Sequence, residues 1–157
     1  MTHVRFHFNV ADSTDYACRL LRKAARQGVK VVVTGPARAL AALDRTLWVF
    51  DAVEFVPHVL LAPGQALSER LQATPICLTE DAAAAPTREV LLNLGPQAPE
   101  RFEAFERVVE IVSMDEDDRA AARSRWRDYA ARGATIERHE VPACTAGKVC
   151  RPPVYRR

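Results

Sequence analysis

The sequence predicts an α/β fold with parallel strands, and three observations carry the prediction. The segment His3–Val4–Arg5–Phe6–His7–Phe8–Asn9–Val10 alternates strictly between apolar and other residues, as a half-buried strand does. A segment of helical period follows, and after it the β-branched run Val29–Lys30–Val31–Val32–Val33–Thr34, suited to a strand covered on both faces. Strand, helix and strand in this order imply a right-handed crossover and a parallel pair.

The elements follow in order. In the first strand Val4, Phe6, Phe8 and Val10 share one face. His3 and His7 share the other, too far apart for a good metal site and therefore expected exposed. Asp12 or Ser13 can cap a helix whose apolar positions Tyr16, Ala17, Leu20, Leu21 and Ala24 keep helical spacing until Gly28 stops it. Gly35–Pro36 opens a helix from about Ala37 to Trp48, with proline where its missing N–H costs nothing. Val53–Glu54–Phe55–Val56 is expected as a short third strand ended by Pro57, and His58 to Thr74 as a loop with one short helical turn. Pro75 to Thr79 and Glu89 to Leu94 read as further strands, with a turn-like, alanine-rich stretch from Glu80 to Pro86 between them. Arg101 to Val112 is expected to be helical, with Phe102, Phe105, Val108, Val109 and Val112 as its apolar stripe. Asp115, Glu116, Asp117 and Asp118 suit the first turn of a last helix, which ends near Gly133.

A chain of 157 residues suits a single domain, here residues 1–141, followed by a basic, proline-containing extension over 142–157 that is expected to be flexible. A net charge of +2 is too small for coating nucleic acid by bulk electrostatics, which argues against direct DNA binding. Cys18, Cys77, Cys144 and Cys150 form no CxxC pair and no zinc spacing; Cys18 and Cys77 read as small core residues. The sequence begins with no charged-then-apolar leader and has no long apolar run, so a reduced, cytoplasmic protein away from membranes is expected.

Catalytic signatures are missing. Thr34–Gly35–Pro36 has one glycine, no GxGxxG and no following Lys-Thr pair, so a phosphate-binding loop is not expected. There is no GxSxG, no HExxH and no cysteine with a convincing histidine partner. Neither cofactor nor metal is implied. The alternative is a small nucleotide-binding protein or enzyme using the strand ends near Gly35 and His58, where open α/β sheets place their ligands.

Charge and aromatic placement say more. Arg119, Arg123 and Arg127 form a stripe beside an apolar seam of Ala122, Trp126 and Tyr129. Asp115 lies four residues before Arg119, whereas Arg123 and Arg127 have no acid three or four residues away on either side. The plain reading is a solvated face; an acidic partner is the other. Trp48, Phe50 and Phe55 fall within eight residues. The plain reading of all three is core; for Phe50 it stands, while for Trp48 and Phe55 an exposed anchor fits nearly as well.

Leu43–Asp44 with Leu47–Trp48, then Phe55–Val56–Pro57–His58, Val108–Val109–Glu110–Ile111–Val112, the run from Arg123 to Tyr129 and Gly133 together resemble the chi subunit family of bacterial DNA polymerase III over roughly residues 1–141. The resemblance implies a three-layer Rossmann-like fold with a mostly parallel central sheet that lacks the nucleotide site. It also implies a non-enzymatic adaptor of the clamp-loader assembly. That family grips the acidic C-terminal tail of single-stranded DNA-binding protein, which ends in phenylalanine, and pairs with the psi subunit. By position, the tail-binding residues fall on Val112, Arg119, Arg123 and Arg127, and the psi-facing residues on Trp48 and Phe55. Arg127 stands where the family has lysine and Trp126 where it has tyrosine. Arginine suits charge-assisted hydrogen bonds to carboxylates, and Val112 with the seam supplies a slot for the phenyl ring. Arg123 and Arg127 are expected to carry more of the binding than Arg119, which Asp115 partly offsets.

Overall fold

The computed structural model describes residues 1–51, 53–65 and 67–142; the basic extension expected beyond them, with Cys144 and Cys150, lies outside the described residues. The elements are β1 (His3–Val10), α1 (Ser13–Arg26), β2 (Val31–Thr34), α2 (Ala37–Val49), β3 (His58–Leu60), α3 (Glu69–Gln72), β4 (Ile76–Leu78), β5 (Val90–Asn93), β6 (Arg107–Ser113), α4 (Glu116–Ala131) and β7 (Thr135–Glu140). Local chemistry sets the helix ends. Asp12 caps α1 by accepting from the Asp15 N–H, and Asp115 caps α4 by accepting from Asp117 and Asp118. Gly28 and Gly133, both at positive φ, follow the two helices as expected.

The strands form one sheet in the order β3-β4-β2-β5-β6-β1-β7, with every pairing parallel. Strands alternate their side chains between two cores. Val31, Val33, Leu92, Val109 and Ile111 meet α1 and α2 on one face, while Val32, Leu91, Val108 and Val112 meet α4 on the other. This is the expected three-layer α/β arrangement. β1 and β2 are parallel but not neighbours, because β5 and β6 lie between them.

Five local expectations change. Residues 107–113 are strand, not helix: β-branched residues dominate the segment, and β6 is laddered to β5 on one side and β1 on the other. The third strand begins after Pro57, because the preceding residues form a turn on Asp51, whose Oδ1 accepts from the Val53 and Glu54 N–H groups. β7 adds a strand that the sequence reading lacked, and with β6 it encloses β1. His7 is consequently buried under α1, bonded through Nδ1 to the Tyr16 hydroxyl at 2.6 Å, rather than exposed. A bulge between His7 and Val10, with Asn9 at φ 61°, moves Val10 to the α1 face, away from Phe6.

Candidate functional site

Helix α4 has three buried positions of two kinds. Ala122 and Tyr129 bury apolar surface against β1 and β6, and between them Arg125 is also buried. Arg125 Nε donates to Glu110 Oε2 at 2.9 Å, Asn93 Nδ2 donates to Glu110 Oε1 at 2.8 Å, and the Tyr129 hydroxyl donates to the same oxygen. Glu110 is fully enclosed among these donors. Burial pushes its carboxyl up to about 7, against the lowering effect of Arg125, Tyr129 and Asn93. The network fixes the rotation of α4 about its axis, since the guanidinium of a single residue meets a carboxylate on a central strand. Sequence reasoning missed it; its signal was a lone acid inside the apolar run of residues 108–112.

With α4 so oriented, a groove of about 560 Å³ opens between the helix and the sheet. Phe6, Phe8, Val112, Ala122 and Trp126 give it an apolar lining, and the Trp126 ring lies 5.0 Å from that of Phe6. Arg119, Arg123 and Arg127 stand along its helical wall, so all four residues expected at a tail site line one groove. Arg138 of β7 and Asn9 complete the lining; the sequence reading gave neither a place in the site.

The arginines are not equally committed. Arg119 Nη2 donates to Asn9 Oδ1 at 3.1 Å, and Glu116 lies 4.0 Å from Arg119 Nη1. Asp115, expected to offset Arg119, spends its carboxylate on the helix cap instead. Glu116 also faces Arg123 at 3.4 Å, seven residues along the helix, but both groups are largely exposed and such pairs contribute about 0–1 kcal/mol. The site therefore offers cations beside an apolar slot, the combination that receives an acidic chain with an apolar end.

Trp48 and Phe55 lie on the opposite face of the sheet, at the end of α2 and in the turn after it. Both are at least half exposed, and their rings are 5.0 Å apart. Val49 and Val53 of the same segment are also exposed, and exposed apolar groups that meet, as these two rings do, mark interaction surfaces. The turn is tied to α1 by Arg22, 3.0 Å from Asp51, and by Arg26 on Glu54. Phe50 packs partly against the core, as expected.

Gly35 and His58 are engaged within the fold. A Cβ on Gly35 would lie 3.0 Å from Leu94 Cβ, tighter than ordinary contact, so close packing of the turn after β2 on the β5 end accounts for this glycine. The His58 side chain is buried, with Nδ1 2.7 Å from the Val56 carbonyl and Nε2 3.1 Å from Asp44 Oδ1, the latter at ion-pair distance but outside hydrogen-bond geometry. Among the described residues no cluster of three metal-ligating side chains occurs, and no helix is long and apolar enough to cross a membrane.

Comparison with known proteins points one way. The family model described as DNA polymerase III chi subunit, HolC, matches residues 1–137. A DNA polymerase III subunit chi of Pseudomonas aeruginosa is 34% identical over 149 residues, covering 90% of this chain and 99% of that protein. A protein of the same name from Haemophilus influenzae is 29% identical over 129 residues, covering 81% of this chain and 86% of that one.

Proposed function

The chain belongs to the DNA polymerase III chi subunit family, a replication accessory subunit, and from that premise we propose that it is a non-catalytic, cytoplasmic adaptor of the polymerase III holoenzyme. Its α4 groove grips the acidic C-terminal tail of single-stranded DNA-binding protein, and Trp48 and Phe55 pair with the psi subunit. Through these two contacts the clamp loader is linked to protein-coated single-stranded DNA. Residues 1–141 act as one domain, with 142–157 as an extension to it.

One observation carries the tail-binding half of this reading: Arg119, Arg123 and Arg127 share a groove with Val112 and an aromatic lining. Carboxylates and a terminal phenyl ring each find a complement there. A contact of this size belongs to the weak, salt-sensitive class. Fluorescence anisotropy with a labelled acidic peptide ending in phenylalanine is the test. Arg123→Ala should weaken binding about tenfold, the worth of one charge-assisted hydrogen bond. Equal affinity of the variant and the wild type removes the site assignment. Trp48→Ala should leave that affinity unchanged while reducing association with a psi subunit.

A further inference from the structure

The wall of the groove that faces α4 also carries a cation. Along β7, Ile136 packs into the core beneath α4, so Arg138, two residues on, lies on the same side, whereas His139 turns to His7 on the other. The Arg138 guanidinium lies over the Phe8 ring, 4.7 Å from its centroid. Stacking fixes the plane of a guanidinium and leaves its N–H edge free to donate to a carboxylate. Arg119 is held by Asn9 and faced by Glu116, and Arg123 is faced by Glu116 as well. Among the described residues, Arg127 and Arg138 have no acidic partner. The two unneutralised guanidiniums of the groove thus come from different elements, with apolar lining around both.

We propose that Arg138 is a further peptide-binding residue: it takes a carboxylate of the bound acidic peptide from the β7 side, so that the ligand is held from two elements rather than along α4 alone. The inference rests on the acidic-tail reading and adds to it a residue from the sheet edge. The carboxylate is either the terminal α-carboxylate or that of an acidic side chain.

The test uses the full chain and the same labelled acidic peptide, in free and C-terminally amidated forms. Arg138→Met keeps an apolar stem over Phe8 and removes the charge; Arg138→Lys keeps the charge without the planar fork. Binding of the free peptide should weaken about tenfold in Arg138→Met and recover in part in Arg138→Lys. Thermal melts matching the wild type establish that both variants fold. If the terminal carboxylate is the ligand, Arg138→Met costs nothing further against the amidated peptide; if an acidic side chain is, the loss is the same for both forms. Should Arg123→Ala weaken binding while Arg138→Met binds like the wild type, this proposal fails and the tail reading stands. No binding by the wild type overturns both.

Discussion

His7 sits where a charge cannot be tolerated. Its ring is fully covered, Nδ1 bonds the Tyr16 hydroxyl, and Nε2 has no hydrogen-bond partner among the described residues. Burial first, then the neighbouring His139 and Arg5, lower its pKa from 6.5 to about 3. Because the folded value is depressed, the unfolded chain binds the proton first, so the stability due to a neutral His7 is present above pH 6.5 and lost as the pH falls toward 3. His7→Asn keeps a polar group near the Nδ1 position and cannot titrate. Relative to the wild type it should gain stability on acidification across that window, by up to ~1.4 kcal/mol per pH unit. Chemical denaturation of both proteins at several pH values across the window measures the difference, and parallel curves would rule this account out. The cysteines behave in the opposite sense: burial raises Cys18 to about 12 and Cys77 to about 11, so neither thiol should react with alkylating reagents until the chain unfolds.

Two elements show where a sequence runs short of information. The spacing of Phe102, Phe105, Val108, Val109 and Val112 fits a helix, yet Val108 to Val112 belongs to β6, because ladders on both sides and two apolar faces suit a strand better. The same sequence placed α1, α2 and α4 within a residue or two at most ends, since caps and glycines are local signals. Val112, Arg119, Arg123 and Arg127, placed by position from the family resemblance, line one groove, and Trp48 and Phe55 are exposed; what they bind is the proposal above. Asn9 and Arg138 were not legible, since only a bulge in β1 and the unforeseen β7 bring them to the groove. The rotation of α4 likewise depends on a contact 15 residues apart, Arg125 on Glu110. Glu110→Ala leaves that guanidinium buried without its carboxylate and should cost about 3–5 kcal/mol, whereas Glu110→Leu combined with Arg125→Met removes both charges and should be milder, costing about 1–3 kcal/mol for a buried Tyr129 hydroxyl left without its acceptor. Denaturant midpoints decide between these outcomes. The double variant should also bind the acidic peptide less tightly, as α4 loses the contact that sets its rotation.

At the scale of the molecule, the sheet separates the two surfaces. The groove is built on the α4 face, and the Trp48 and Phe55 patch on the α2 side, with the packed strands β2, β5 and β6 between the two cores. Among the described residues the two surfaces pack on separate cores, and well-separated sites usually act additively, within about 0.5 kcal/mol. The proposed adaptor role needs this independence: if occupying one surface closed the other, the chain could not join the two proposed partners. Titration calorimetry with the acidic peptide, on the free chain and on its complex with a psi subunit, should therefore give equal affinities within about twofold. In the variant carrying both Arg123→Ala and Trp48→Ala, each loss should equal that of the single variant. A large coupling in either measurement would mean that the sheet transmits binding from face to face, and the chain would then be a switch rather than a fixed link.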